Sequence, residues 1–154
     1  MHGLVIAPDD PRADDVATLL QQHHAFSLSC SPPEFSFALD IDGLAQPAVT
    51  FCTARQDGEL LAVGALMELD ARHAEIKSMH TTRAARGQGV GAAMLEHLLE
   101  LARSRGYERV SLETGAQPEF EPARAMYARA GFEVCGPYAG YPDSGYSVFM
   151  TLVL

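Results

Sequence analysis

The chain has 154 residues, of which 47% are hydrophobic and 20% charged, enough to build one hydrophobic core without staples and too apolar for a disordered tail. Three cysteines with no CxxC pair speak against a disulfide framework or structural zinc, and no apolar run approaches a membrane span. The net charge of −9 is divided unevenly: residues 1–70 hold two basic against eleven acidic side chains, residues 71–154 nine of each. A nucleic-acid binder needs a broad cationic face, which this composition excludes. The expectation is a soluble, cytoplasmic, single domain over residues 1–154, with no metal site.

In chain order, Leu4–Ala7 reads as a first strand ended by Pro8. Asp9-Asp10-Pro11 offers a helix start, and Val16, Leu19, Leu20 and His23 recur at helical spacing, predicting a helix to about His24. Ser27 to Gly43, with Ser31-Pro32-Pro33-Glu34, reads as loop or short helix. Val49–Ala54 and Glu59–Leu69 are strands joined by the hairpin signal Asp57-Gly58, and Asp70-Ala71-Arg72 turns into a strand over His73–Thr81. After Gly91 the period changes: Met94, Leu95, Leu98, Leu101 and Ala102 line one helical face until Gly106. Val110–Thr114, Pro122–Ala130 and Val148–Leu152 complete the series as strand, helix and strand. The fold class is α+β (mixed α/β), with a β-α-β unit around residues 73–114.

The chemistry concentrates in Arg86-Gly87-Gln88-Gly89-Val90-Gly91, between a strand and a long amphipathic helix. A helix N-terminus presents unpaired N–H groups and the positive end of a dipole, and glycines let anionic groups approach the main chain. Four basic residues (Arg72, Lys77, Arg83, Arg86) within fifteen positions supply a local cationic patch suited to a small phosphorylated ligand. Gly87-x-Gly89-x-x-Ala92 also fits a dinucleotide fingerprint, but it follows a strand meander with too little chain left for a doubly wound sheet. A P-loop needs Gly-Lys-Ser/Thr, and the sole lysine is Lys77.

The run Glu75-Ile76-Lys77-Ser78-Met79-His80-Thr81, then Arg86-x-x-Gly89-x-Gly91, and later Ala125-Met126-Tyr127-Ala128-Arg129-Ala130-Gly131-Phe132, resembles the motifs of GNAT-family (Gcn5-related) N-acetyltransferases. Glu68-Leu69-Asp70-Ala71-Arg72-His73 and Phe120-Glu121-Pro122-Ala123-Arg124 are similar to its YsnE-like branch. The resemblance implies a central, mostly antiparallel twisted sheet with splayed middle strands, flanked by helices. It implies acetyl-CoA as co-substrate, its pyrophosphate on main-chain N–H groups of Arg86, Gly87, Gln88, Gly89, Val90, Gly91 and Ala92, and its pantetheine beside Met79, His80 and Thr81. Where many members carry an asparagine, this chain has Phe120.

The activity so implied is N-acetylation of the primary amine of a small acceptor by direct attack, with an oxyanion donor near Met79. Tyr127 takes the general-acid position. For the base, Glu75 resembles the glutamate of histone-acetylating members, with strand alternation placing it on one face with Lys77 and Met79; Glu113 and Glu68 are rivals, and His80 could shuttle a proton. The acid-rich first half predicts a negative acceptor wall that favours cationic amines. Pro32, Pro33, Glu34, Phe35 and the segment 138–146 are expected to frame its entrance. A homodimer using the apolar strand 148–154 is a prior from the resemblance. A non-catalytic acyl-CoA-binding module and a nucleotide-dependent oxidoreductase are the alternatives.

Overall fold

A computed structural model describes residues 3–30, 32, 34 and 39–154, with Ser27 by its main chain alone. Seven strands form one sheet in the order β1 (Leu4–Pro8), β2 (Val49–Gln56), β3 (Glu59–Glu68), β4 (His73–Thr81), β5 (Arg109–Gly115), β7 (Ser147–Val153) and β6 (Glu133–Cys135). Every pairing is antiparallel except β4–β5, which the crossover helix α3 (Val90–Ser104) makes parallel. The predicted β2–β3 hairpin is present, and Asp57 and Gly58 both take positive φ (52° and 81°), the primed-turn geometry that matches strand twist.

Two cores form, one on each face. On one face Met94, Leu95, Leu98, Leu99 and Ala102 of α3 pack with Ile76, Val110, Leu112, Met150 and, from α4 (Glu121–Arg129), Tyr127. On the other, Val16, Leu19 and Leu20 of α1 (Asp14–Cys30) cover Phe51, Leu60, Val63 and Ala65. The sheet separates these helices, so whatever opens it connects two otherwise insulated sides.

Three expectations are corrected. α1 starts at Asp14, not at Asp10-Pro11: the Asp10 carboxylate accepts from the Arg12 N–H (2.9 Å) in a preceding turn, while Asp9 accepts from Thr53 Oγ1 and Arg55 Nε on β2 (2.7 and 3.1 Å). α1 also runs past His24 to Cys30, because no proline interrupts it before Pro32. The part of Ser27–Gly43 that follows contains the single turn α2 (Ile41–Leu44), capped by Asp40 Oδ1 on the Gly43 N–H (2.7 Å). β6 was not expected; it is three residues long and pairs only with β7. β7 is consequently an inner strand, its β6-facing edge paired over Phe149–Thr151.

Candidate active site

β4 and β5 pair only from His73–Arg109 to Ile76–Leu112, although β4 continues to Thr81 and β5 to Gly115. The strands therefore part beyond Ile76. Their separation starts at a bulge: on β3, Val63 faces His80 and Ala65 faces Lys77, so Gly64 alone opposes both Ser78 and Met79. Ser78 takes φ 57°, and such a bulge bends and twists the strand that carries it. Gly64 is required there, since a Cβ would stand 2.8 Å from both Met79 Sδ and Met94 Cγ.

The bulge overturns the face count made from alternation. Glu75 and Lys77 share one face, but Met79 packs with the α3-side core, and His80 turns to α1. The expected association of Glu75 with Met79 fails because one extra residue lies between Lys77 and Met79 in the ladder.

On the α3 side the glycine loop leads into the helix. A short 3₁₀ turn, Arg83–Ala85, precedes Arg86; Gly87 and Gly89 take φ 76° and 82°, and Gly89 is the N-cap of α3 with no side chain satisfying the helix N–H groups. Space around Gly87 is open, whereas a Cβ on Gly91 would lie 3.3 Å from Met126 Sδ and Thr81 Oγ1. The loop is braced from beneath, with Arg86 Nε donating to the Thr81 carbonyl (3.4 Å) and Gln88 Nε2 to the Ala84 carbonyl (3.1 Å). Exposed main-chain donors, a helix dipole and the exposed Arg83 and Arg86 fit a pyrophosphate. The four-residue basic cluster is not one patch, however: Lys77 is buried on the opposite face, paired with Glu75.

Tyr127 is buried on α4 with its ring edge-on to Phe132, centroids 5.9 Å apart. Burial, reinforced by the Glu113 charge, pushes its hydroxyl pKa up, so it holds its proton at neutral pH. Glu113, on β5 just beyond the last β4–β5 pair, is half-buried and accepts from Ser147 Oγ (2.8 Å). Burial raises its pKa above the usual carboxylate value; Ser147 and Lys77 pull it down, and Glu75 adds to the rise.

Glu75 is held differently. It is 1% exposed; Oε2 accepts from the hydroxyls of Tyr138 (2.6 Å) and Tyr141 (2.7 Å), and Oε1 lies 3.5 Å from Lys77 Nζ. Lys77 also donates to the Tyr141 hydroxyl (2.7 Å), and both tyrosine rings pack against Phe149. Tyr138 and Tyr141 thus lie over this face of β4 and β7. Nothing in the local sequence announces that Tyr138 and Tyr141 bind Glu75; their clustering with Tyr127 and Tyr146 is the only signal.

Other candidates lie elsewhere. Glu68 is exposed at the far end of β3, accepting from the Tyr107 hydroxyl (2.8 Å). Of the first-half acids, Asp9 and Asp15 bind Arg55, and Asp42 binds Arg12. Glu113 stands just beyond the last β4–β5 pair, and Glu75 within the paired stretch. Ser31, Pro33 and Phe35 lie outside the described residues. Phe120 packs where a Cβ on Gly115 would collide with its ring, and stands 5.3 Å from Phe26, so it serves the turn after β5.

A seven-stranded sheet parted at β4–β5, with a glycine loop leading into the uncapped N-terminus of a long crossover helix, defines an acyltransferase fold. Residues 16–132 match the family model described as Acetyltransferase (GNAT) family, and the chain belongs to that family. It is 46% identical over 144 residues to "Uncharacterized N-acetyltransferase YsnE" of Bacillus subtilis, covering 93% of this chain and 95% of that protein. A putative acyl-CoA N-acyltransferase structure from Klebsiella pneumoniae superposes with TM-score 0.83 at 26% identity, over 98% of this chain and 97% of that one. A GNAT acetyltransferase of Elizabethkingia anophelis with acetyl-CoA bound shares the fold (TM-score 0.70, 16% identity, all of both chains).

Proposed function

We propose that the protein transfers the acetyl group of acetyl-CoA to the primary amine of a small acceptor, in one direct step. The observation that carries this reading is the parting of β4 from β5, with the Gly87–Gly91 loop and Tyr127 on the α3 side of the sheet and Glu113 where the strands part. Acetyl-CoA supplies the activated acyl group; the chain's residues bind it and manage protons.

Main-chain N–H groups from Arg86 to Ala92 hold the pyrophosphate, and the stretch Met79–Thr81, unpaired on its β5 side, offers main-chain partners to the pantetheine arm. An amine near pKa 10 arrives as a cation and must lose a proton before attack. Glu113 accepts it: its raised pKa makes it a stronger base than an ordinary carboxylate, and a single hydroxyl donor leaves it lone pairs. Glu75, with two tyrosine donors and Lys77, is committed to holding the 138–146 segment. The main-chain N–H near Met79 stabilises charge on the carbonyl oxygen, and Tyr127 returns a proton to the departing thiolate. Glu75 and Glu113 against one lysine favour a cationic acceptor. The three free cysteines suit a reducing, cytoplasmic setting, and the whole chain works as one domain.

A thiol-release assay with acetyl-CoA over a panel of primary amines tests the reading. Turnover with an amine supports it; CoA binding with no turnover on any amine would instead indicate a binding module.

A further inference from the structure

The buried stripe of α1 does not end as it begins. Val16, Leu19 and Leu20 cover β2 and β3, and the next position on the stripe is His23. There the helix reaches β4, and the His23 ring lies over His80 with centroids 4.8 Å apart and planes at 46°. His80 belongs to the part of β4 that has left β5, so this pair stands beside the parted strands, on the side away from the α3 loop. His23 Nδ1 is buried and, among the described residues, has no hydrogen-bond partner. An unfilled polar atom in a core lowers stability, and a leucine would simply continue the stripe.

We infer that His23 is an acceptor-binding residue: its Nδ1 is completed by a second hydrogen-bonding group of the substrate, a hydroxyl or another amine, beyond the amine that reacts. The inference rests on the proposed acetyl transfer. Burial pushes the pKa of both imidazoles down to about 4, so at neutral pH the pair is uncharged and does not repel a cationic acceptor. A site that leaves a buried group unpaired discriminates against ligands that cannot fill it, and one such bond corresponds to about tenfold to a hundredfold in affinity. The acceptor is therefore bifunctional, an amino alcohol or a polyamine rather than a simple alkylamine.

The test is kcat and KM on matched probes, with propylamine, aminopropanol and diaminopropane as one series and longer-chain homologues as another. Wild type should prefer the bifunctional members by about tenfold or more in kcat/KM, carried by KM. In His23→Leu that preference should collapse while the melting temperature holds or rises; His23→Gln, which keeps a hydrogen-bonding side chain, should retain part of it. Equal turnover of mono- and bifunctional amines by wild type, or an undiminished preference in His23→Leu, overturns the inference and leaves the transferase reading standing. No turnover on any amine defeats that reading, and this one with it.

Discussion

Gly64 on β3 and Ser78 on β4 form one device: the glycine opposes the left-handed serine, and its missing side chain is the space into which Met79 turns. Sheet opening and core packing are thereby coupled. Gly64→Ala puts a methyl group against Met79 Sδ, Met94 Cγ and Leu98 Cδ1, at 2.8, 2.8 and 3.1 Å. Overpacking of this kind costs roughly 1–3 kcal/mol. Urea unfolding should show that loss, together with a drop in kcat/KM as β4 shifts; an unchanged midpoint would mean the bulge tolerates a side chain.

What was legible in the sequence was local. Gly87, Gly89 and Gly91 before an apolar helical period fix the loop and α3, and Asp57-Gly58 fixes a hairpin, because each signal lies within a few residues of its consequence. The bulge was not legible, since no residue type at Ser78 marks a positive φ and alternation alone puts Met79 on the wrong face. Glu75 was found as a candidate, but its tyrosine partners lie more than sixty residues away, and only tertiary folding brings them together. β6 escaped because three residues carry too little periodicity.

Tyr127→Phe separates chemistry from packing. The ring remains edge-on to Phe132, so stability should stay within about 1 kcal/mol. Loss of the general acid should lower kcat by about a hundredfold or more while the CoA dissociation constant holds. Calorimetry with CoA and steady-state kinetics together decide it, and unchanged kcat would remove Tyr127 from proton transfer.

The two carboxylates should part under mutation. Glu75→Ala takes the carboxylate away from the buried Lys77 ammonium and the shared acceptor away from the Tyr138 and Tyr141 hydroxyls, a loss of about 3 kcal/mol or more. Glu113→Gln should instead stabilise the fold at neutral pH: a carboxyl whose folded pKa is raised loses stability as pH rises through that value, and the amide removes the effect. The same variant should lose turnover, and the acidic limb of the kcat/KM profile, where wild type loses its base by protonation, should flatten. An intact limb in Glu113→Gln would return the base role to Glu75 or a water.

Gly89→Ala tests the loop. At φ 82° an alanine is strained by about 1–2 kcal/mol, and relief of that strain turns the α3 N–H groups away from the pyrophosphate. CoA affinity should fall by roughly tenfold. Gly106→Ala, at φ 83° beyond the opposite end of α3, imposes the same strain without touching the loop and should leave CoA affinity unchanged. Equal weakening by both variants would mean that global destabilisation, not loop geometry, sets the affinity.

Acid should weaken the fold through the α1–β4 histidines. His23 is pushed down to about 4 by burial and then by His24, and His80 to about 4 by burial, then His23 and Arg86. A histidine near 6.5 when unfolded takes its proton first in the unfolded chain, so stability falls as pH drops from about 6.5 towards 4. At pH 5 the His23 contribution is about 2 kcal/mol, and that of the less enclosed His80 is smaller. Glu113 opposes this trend, having a raised pKa, so the informative quantity is the difference between wild type and His23→Leu in urea midpoint at pH 7 and pH 5. His23→Leu should lose markedly less stability over that interval; identical losses would show that His23 titrates normally and is not enclosed against β4.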